Sequence, residues 1–522
     1  MKFKFIFVLV LLYVPISFSS NILYLSILPS HSHHFWNSAI SNELAKRGHN
    51  ITIVSPDAEI DPPAGVNYII LENQYVIEQN FVKTILNASE AVNPFHEAIE
   101  LQQCYDALCS GAVETDGFRT LLNYPDNFKF DLIVHDFTVG SCLLPFLHKF
   151  NYPPMLAVTA FGHPSFVNDL IGGHHYYAYV PHMLLQFDDT MTFVQRFLNF
   201  LIHVEEYVLF KYYLIPRLDA IAAKYFGPNV PSVGELEQRA ALAFVNTHPV
   251  METVPLPQNV IPVAGVQIKE PRPLQKDLRT FIDSSKKGAV VFSLGSNFRS
   301  DYMPAAKQQI FLKVLSELPD YHFLWKFESN ISAADLPENV LIRPWLPVSD
   351  ILADPKVKAI YFHGGMLTTH EAIWRGVPMI IMPFALDQQQ NLIKTKRMGI
   401  AEGVDYLSLN HNQIRKTILK VLEDPSYSLN ARKWSKRFRD QKEKPLDRAM
   451  WYIEWLIRNP DCEYLKSPVL RLGFTIGNSY DIIASITVFL TLSLIISLKL
   501  FSCCVRKSFK LNYSKPLHKK VD

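Results

Sequence analysis

Three histidines stand within four positions in the stretch SHSHHFW, at His31, His33 and His34, beside Phe35 and Trp36. An imidazole titrates near neutrality, so one of them could take a proton from a hydroxyl group. Together they could hold a metal, or they could simply make a loop polar. A zinc cluster fits poorly, because adjacent loop residues diverge and no cysteine accompanies them. His174-His175 could join the group, although lining a pocket is their plainer role. A second chemical stretch lies far downstream, AIYFHGGMLTTHEAIWRGVPMIIMPFALDQQQN, at Ala359–Asn391. There an apolar strand ends at Phe362, His363-Gly364-Gly365 turns the chain, and a helix follows. Glycines let the backbone approach a ligand, and a helix N-terminus offers unpaired N–H groups to anionic oxygens. That is the physics of a diphosphate site.

Both stretches need elements to position them. NILYLSIL (Asn21–Leu28) ends at Pro29 and predicts a buried strand; Asn37–Arg47 predicts a helix stopped by Gly48, and Ile51–Val54 the next strand. Strand–helix–strand spacing of this length implies a right-handed crossover and a parallel sheet. Asp131–Val134 predicts a further strand of the same kind. Residues 160–225 are aromatic and partly amphipathic; they suit helices packed on the sheet, an apolar pocket, or a face against a membrane. A proline-rich stretch near residues 258–280 reads as a linker. A second alternating set follows, with strands expected at Ala289–Ser293, His322–Phe327, Val340–Ile342, Ala359–Phe362 and Met379–Met382. Helices are expected at Ala305–Glu317, Leu367–Arg375, Gln388–Met398 and Gln413–Glu423. The fold class is therefore α/β, with two doubly wound halves and a ligand cleft at the carboxyl ends of the strands.

The chain has 522 residues, more than one compact core organises, and a net charge of +2. No basic excess is present to neutralise phosphates, which argues against nucleic acid as a partner. MKFKFIFVLVLLYVPISFSS, with a basic start, an apolar stretch and small residues Ser17-x-Ser19, reads as a signal peptide. Ile482–Leu498 is an uncharged run that, with Leu500 and Phe501, can cross a bilayer as one helix. Arg506, Lys507, Lys510, Lys515, Lys519 and Lys520 follow it, so the tail is expected in the cytosol and the body in the lumen. Lys519 and Lys520 have the placement of a dilysine retrieval signal of the endoplasmic reticulum. Six cysteines are too few for a disulfide scaffold; Cys104 and Cys109 could pair, and Cys503 and Cys504 could be acylated. Sequons occur at Asn50, Asn87 and Asn330, the first doubtful because it opens an apolar strand.

Taken together, Ala359–Asn391, WLPVSDILADP (Trp345–Pro355), FSLGSN (Phe292–Asn297), RGHNITIVSP and LDRAMWYIEWLIRN resemble the UDP-glycosyltransferase family, of the invertebrate type, over nearly the whole chain. The resemblance implies a GT-B arrangement of two Rossmann-like domains facing a cleft, plus a C-terminal transmembrane helix. The implied order is a signal peptide (1–19), an acceptor-binding domain (20–265), a linker (266–281), a UDP-sugar-binding domain (282–440), helices packing back on the first domain (441–478), the membrane helix (480–501) and a cytosolic tail (502–522).

By that resemblance Trp345 stacks on the uracil, and His363, Gly365, Leu367, Thr368 and Ser296 line the diphosphate. Glu371 holds the ribose hydroxyls, and Asp387-Gln388 the donor sugar. Counting back from Arg47-Gly48-His49 places the family's Ser-His on Ser32-His33. His33 is then the general base, with Asp136 bonding its far nitrogen to fix the tautomer and stabilise the imidazolium. His31 and His34 become loop polarity, and Phe35 and Trp36 pocket wall or packing.

The implied reaction is inverting transfer of a hexose, most simply glucose, to a small lipophilic acceptor, as in detoxification. UDP-sugar is a co-substrate, and neither cofactor nor metal is needed. Two departures stand out. Val348 replaces a glutamine that contacts uridine, and Met366-Leu367 replace small polar residues. The first motivates an alternative, a catalytically silent member that binds lipophiles or a partner protein. A transferase acting on lipid-linked glycans is disfavoured by the full-length first domain. Homo- or hetero-oligomerisation stays open.

Overall fold

The computed structural model describes residues 19–87, 93–252, 254–329 and 336–513. Residues 1–18 of the signal-peptide reading, Asn330 and Lys519-Lys520 lie outside the described residues, as does the side chain of Asn87.

Thirteen strands make two sheets among the described residues. The first contains β1 (Asn21–Leu25), β2 (Asn50–Ser55), β3 (Val66–Ile70), β4 (Leu132–Asp136), β5 (Met155–Thr159), β6 (Ala240–Val245) and β7 (Val260–Pro262). Their order is β3-β2-β1-β4-β5-β6-β7. The second contains β8 (Gly288–Ser293), β9 (Tyr321–Lys326), β10 (Val340–Arg343), β11 (Val357–Phe362), β12 (Met379–Ile381) and β13 (Ala401–Gly403), in the order β10-β9-β8-β11-β12-β13. Every pairing is parallel. Helices cover both faces of such sheets, so the central strands are buried on both sides and read as continuous apolar runs. LIVHD and GAVVFS are buried at every position.

The strand order reverses between β1 and β4 in one sheet and between β8 and β11 in the other. Side chains just beyond the carboxyl ends of these four strands meet at the switch points, where doubly wound sheets hold ligands. His33, Asp136, Ser296 and His363 all fall there.

The first helix begins six residues earlier than expected, spanning His31–Lys46 rather than Asn37–Arg47. Ser30 is extended (φ −151°, ψ 110°) and occupies the N-cap. The three histidines are therefore the first helical turn, not a loop. Trp36, Ile40 and Leu44 form the helix's buried face, against Ile22, Tyr24 and the helix Pro445–Arg458 through Met450 and Ile453. Trp36 is fully buried, so truncation to alanine should cost about 3–5 kcal/mol.

Within residues 160–225, helix Phe193–Leu209 turns Phe193, Val194, Phe197, Phe200, Val204 and Val208 to the outside. Cys109 is disulfide-bonded to Cys142, and Cys104 is a free thiol. The suggested Cys104–Cys109 pair is thereby corrected. Both residues lie on helix Pro94–Ala112, five positions apart, and their side chains leave it in directions about 140° apart.

The chain divides into two compact bodies. The larger runs to Ile171 and from His175 to Leu465, and holds both sheets. The smaller comprises Gly172–His174 and the chain from Lys466 onward. It contains helix Tyr480–Tyr513, of which Tyr480–Lys507 is long and apolar enough to cross a membrane. That helix fits a single-pass anchor.

Candidate active site

One cavity of about 530 Å³ carries most of the residues singled out in the sequence. His33 lines it from the first sheet's side. Ser296, Trp345, His363, Gly365, Leu367, Thr368, Glu371, Asp387 and Gln388 line it from the second. Asp136 lies behind, buried at the end of β4. Met366 and Val348 also reach the wall. His31 binds elsewhere, with Nδ1 3.0 Å from the Tyr75 hydroxyl and 2.7 Å from Asp57. His34 Nε2 lies 3.3 Å from the Ser38 hydroxyl.

The turn after β11 is built around the His363 ring. Gly295, in the turn after β8, has φ +91°, and a Cβ there would stand 2.5 Å from the imidazole. A Cβ on Gly365 would come closer still. Glycine at both positions is what lets the ring lie between two backbones. Gly365 caps helix Met366–Arg375 without a side-chain bond, so the helix's first N–H groups face the cavity side unpaired by any cap. His363 Nδ1 is buried without a partner. Burial, reinforced by the Lys326 ammonium, lowers its pKa to about 4, so it meets an anion as a neutral imidazole.

Trp345 is half exposed, with Phe35 and His31 at 6.0 and 6.5 Å between ring centroids and the Lys326 ammonium 5.6 Å from its ring. Two carboxyls complete this side. Glu371 is pushed up to about 7 and Asp387 to about 6, in both cases chiefly by burial. Asp387 accepts from Asn391 Nδ2 at 2.8 Å. The Gln388 side-chain oxygen accepts from the Phe384 and Ala385 N–H groups at 2.7 and 3.3 Å, which holds its amide nitrogen as the free end. The Val348 N–H is committed to the Leu346 carbonyl at 2.9 Å, and its own carbonyl accepts from the Leu352 N–H at 2.9 Å.

The His33 side departs from expectation at one bond. His33 Nδ1 lies 3.1 Å from the Ser30 hydroxyl, and Nε2 is shielded and without a partner. Asp136 makes no hydrogen bond to His33. Its two oxygens are taken by Ser26 Oγ (3.2 Å), Asn37 Nδ2 (2.9 Å), Thr138 N (3.2 Å) and Thr138 Oγ1 (2.6 Å). Asp136 acts on the ring through its field. Burial lowers the His33 pKa, and the Asp136 charge opposes that shift.

Ser30, Asn297 and Lys326 were not singled out in the sequence. Asn297 closes the FSLGSN stretch without a role of its own there, Lys326 carries no motif, and for Ser30 the N-cap preference of serine is the one available signal. Ser30 Oγ donates to Asn297 Oδ1 at 3.0 Å, a contact between residues 267 positions apart.

A second cavity shares Phe161, Met366 and Asp387 with the first and is lined by His163, His175 and Tyr176. His182, His203 and Glu206 gather at its edge with ligand atoms within 4.8 Å of one another. The Leu184 N–H donates to His182 Nδ1 at 3.3 Å, so the ring proton sits on Nε2, which faces Glu206 at 3.1 Å. A protonated nitrogen does not ligate a metal, and the pair reads as an ion-pair contact between a buried ring and a half-buried carboxylate.

This chemistry has counterparts in known proteins. The model of a family described as UDP-glucoronosyl and UDP-glucosyl transferase matches residues 23–515. "UDP-glucosyltransferase 2" of Dactylopius coccus is 30% identical, over 90% of this chain and 90% of its own length. "UDP-glucuronosyltransferase 2A2" of Homo sapiens is 28% identical, over 96% of each chain. Among solved structures, the glycosyltransferase VinC in complex with DTDP aligns with a TM-score of 0.56 and 15% identity, covering 84% of this chain and all of its own. That likeness, and a similar one to the spinosyn forosaminyltransferase SpnP (TM-score 0.55, 18% identity, 84% and 99% covered), concerns the GT-B fold. With two parallel Rossmann-like sheets, a cleft at their switch points and a family match over nearly its full length, the chain belongs to the UDP-glucuronosyl and UDP-glucosyl transferases.

Proposed function

We propose that this glycosyltransferase moves glucose from UDP-glucose, with inversion and without a metal, to a hydroxyl of a small lipophilic acceptor. The observation that carries the reading is the convergence of His33 and the open helix N-terminus after His363 on one cavity. In the proposed step, His33 Nε2 takes the acceptor's hydroxyl proton while the oxygen attacks the anomeric carbon. The bond from that carbon to the diphosphate oxygen breaks on the opposite face. The leaving charge falls to the first N–H groups of helix Met366–Arg375 and to neutral His363, which are fixed before the reaction begins.

An uncharged hexose suits the sugar end. Lys394, the cation acting on Asp387, is committed to Glu252 at 2.9 Å, and Arg397 to Asp188 and Asp189 at 3.1 and 2.5 Å. Neither of these two is therefore free to meet a uronate carboxylate. The aromatic cavity beside Phe161 is the natural entry for the acceptor. The basic residues after the apolar helix support a lumenal site, and Lys519-Lys520 support retrieval to the endoplasmic reticulum.

A donor-by-acceptor screen of the full-length protein in microsomes, read as UDP release, tests the reading. Turnover is expected with UDP-glucose and less with UDP-glucuronate. UDP binding without turnover from any donor would favour the silent, lipophile-binding alternative that Val348 motivates.

A further inference from the structure

The proton directions around His33 can be traced through the groups that surround it. Ser30 occupies the N-cap of helix His31–Lys46, yet its hydroxyl makes no cap bond. A serine there ordinarily satisfies a backbone N–H in the first turn, worth about 1 kcal/mol. Here the buried hydroxyl contacts three side chains instead: Ser32 Oγ at 3.1 Å, His33 Nδ1 at 3.1 Å and Asn297 Oδ1 at 3.0 Å.

Asn297 Oδ1 can only accept. It takes the Ser30 proton and a second proton from Ser296 Oγ at 2.9 Å. The two hydroxyls fix that oxygen, and the amide of the same side chain is left toward the buried Glu78 carboxyl, whose ionised form it favours. Ser30 has one proton and spends it on Asn297, so toward His33 it offers only a lone pair. Its neighbour Nδ1 must then carry the ring proton, and Nε2 is left with the lone pair that a base requires.

We infer that Ser30 and Asn297 are positioning residues that hold His33 in the Nδ1–H tautomer. Asn297 follows β8 in the donor-side sheet, whereas Ser30 and His33 follow β1 in the other. The base is therefore armed only when the two halves are closed on each other. Asp136, occupied by four other donors, supplies field rather than orientation. This inference rests on the reading of His33 as the base.

The test compares the full-length variants Ser30→Ala, Ser30→Thr, Asn297→Ala, the Ser30→Ala/Asn297→Ala double and His33→Ala, by kcat, KM for UDP-glucose and pH profile. Ser30→Ala should lower kcat about 10- to 100-fold, a part of what general-base catalysis supplies, with KM within about twofold. Its acidic limb should move to lower pH, because the Ser30 oxygen no longer stabilises the imidazolium. Ser30→Thr, which keeps the hydroxyl, should restore most of kcat. Asn297→Ala frees the Ser30 proton to turn toward Nδ1, so it should also lose kcat, and the double variant should be no worse than the poorer single one. Full kcat in Ser30→Ala with an unmoved limb, or losses that multiply in the double variant, would overturn the relay. Turnover retained by His33→Ala would overturn the base assignment itself.

Discussion

The two cleft histidines occupy equivalent places in two similar half-molecules, and burial lowers the pKa of both rings, but the charge beside each has the opposite sign. Each follows the carboxyl end of a strand beside its sheet's switch point, and each sits at the start of a helix. His33 has a carboxylate nearby that partly offsets the effect of burial. His363 has an ammonium nearby that adds to it, at about 4. A ring that can gain and release a proton suits proton transfer; a ring that stays neutral suits donation to an anion. The sign of one neighbouring charge separates them, which neither histidine's local sequence reveals.

The strongest way to break this contrast is to remove each ring. His33→Ala should lower kcat by about 10²–10⁴-fold while UDP-glucose affinity holds. His363→Ala should weaken UDP-glucose binding, measured by calorimetry, in addition to lowering kcat. Equal effects of both on kcat alone would erase the distinction.

A smaller effect should follow Asp136→Asn. Removing the charge takes away what opposes burial, so the His33 pKa falls further and the acidic limb of kcat moves to lower pH. The weaker base and less stabilised imidazolium should lower kcat roughly tenfold, a little over 1 kcal/mol. An unmoved limb would mean that the Asp136 field does not reach the base.

The smallest concerns the donor half's own response to pH. At about 4, His363 does not titrate near neutrality, whereas Glu371 at about 7 does. As pH falls through 7, Glu371 gains a proton and, in its proposed place at the ribose, loses one acceptor. UDP-glucose affinity should then fall about three- to tenfold, the scale of one hydrogen bond. Glu371→Gln should flatten that dependence near pH 7 at the weaker value, leaving only the Asp387 step near 6. A persisting slope would move the titration to another group.

The two halves also differed in how far the sequence could be read. The donor side is written contiguously: β11, the glycine turn, helix Met366–Arg375 and β12 fall within one stretch, and each begins or ends within two residues of its expected place. β5 and β6 escaped notice because MLAVT and AALAFV are short runs on either side of an aromatic segment that itself mimics core. The histidine-rich turn reads as loop because histidine is a weak helix former, although Pro29-Ser30 before it carries a helix start signal. His33 was found by its distance from Arg47-Gly48-His49. Ser30–Asn297 could not be found that way, since a contact across 267 positions exists only after both sheets fold.

The Cys109–Cys142 bond ties helix Pro94–Ala112 to the segment just beyond Asp136 and Thr138, closing a loop of 33 residues around β4. Redox conditions thereby become an ingredient of catalysis. Material made in a reducing host would carry the same catalytic side chains on a slacker frame, and its activity should recover on reoxidation rather than on added substrate.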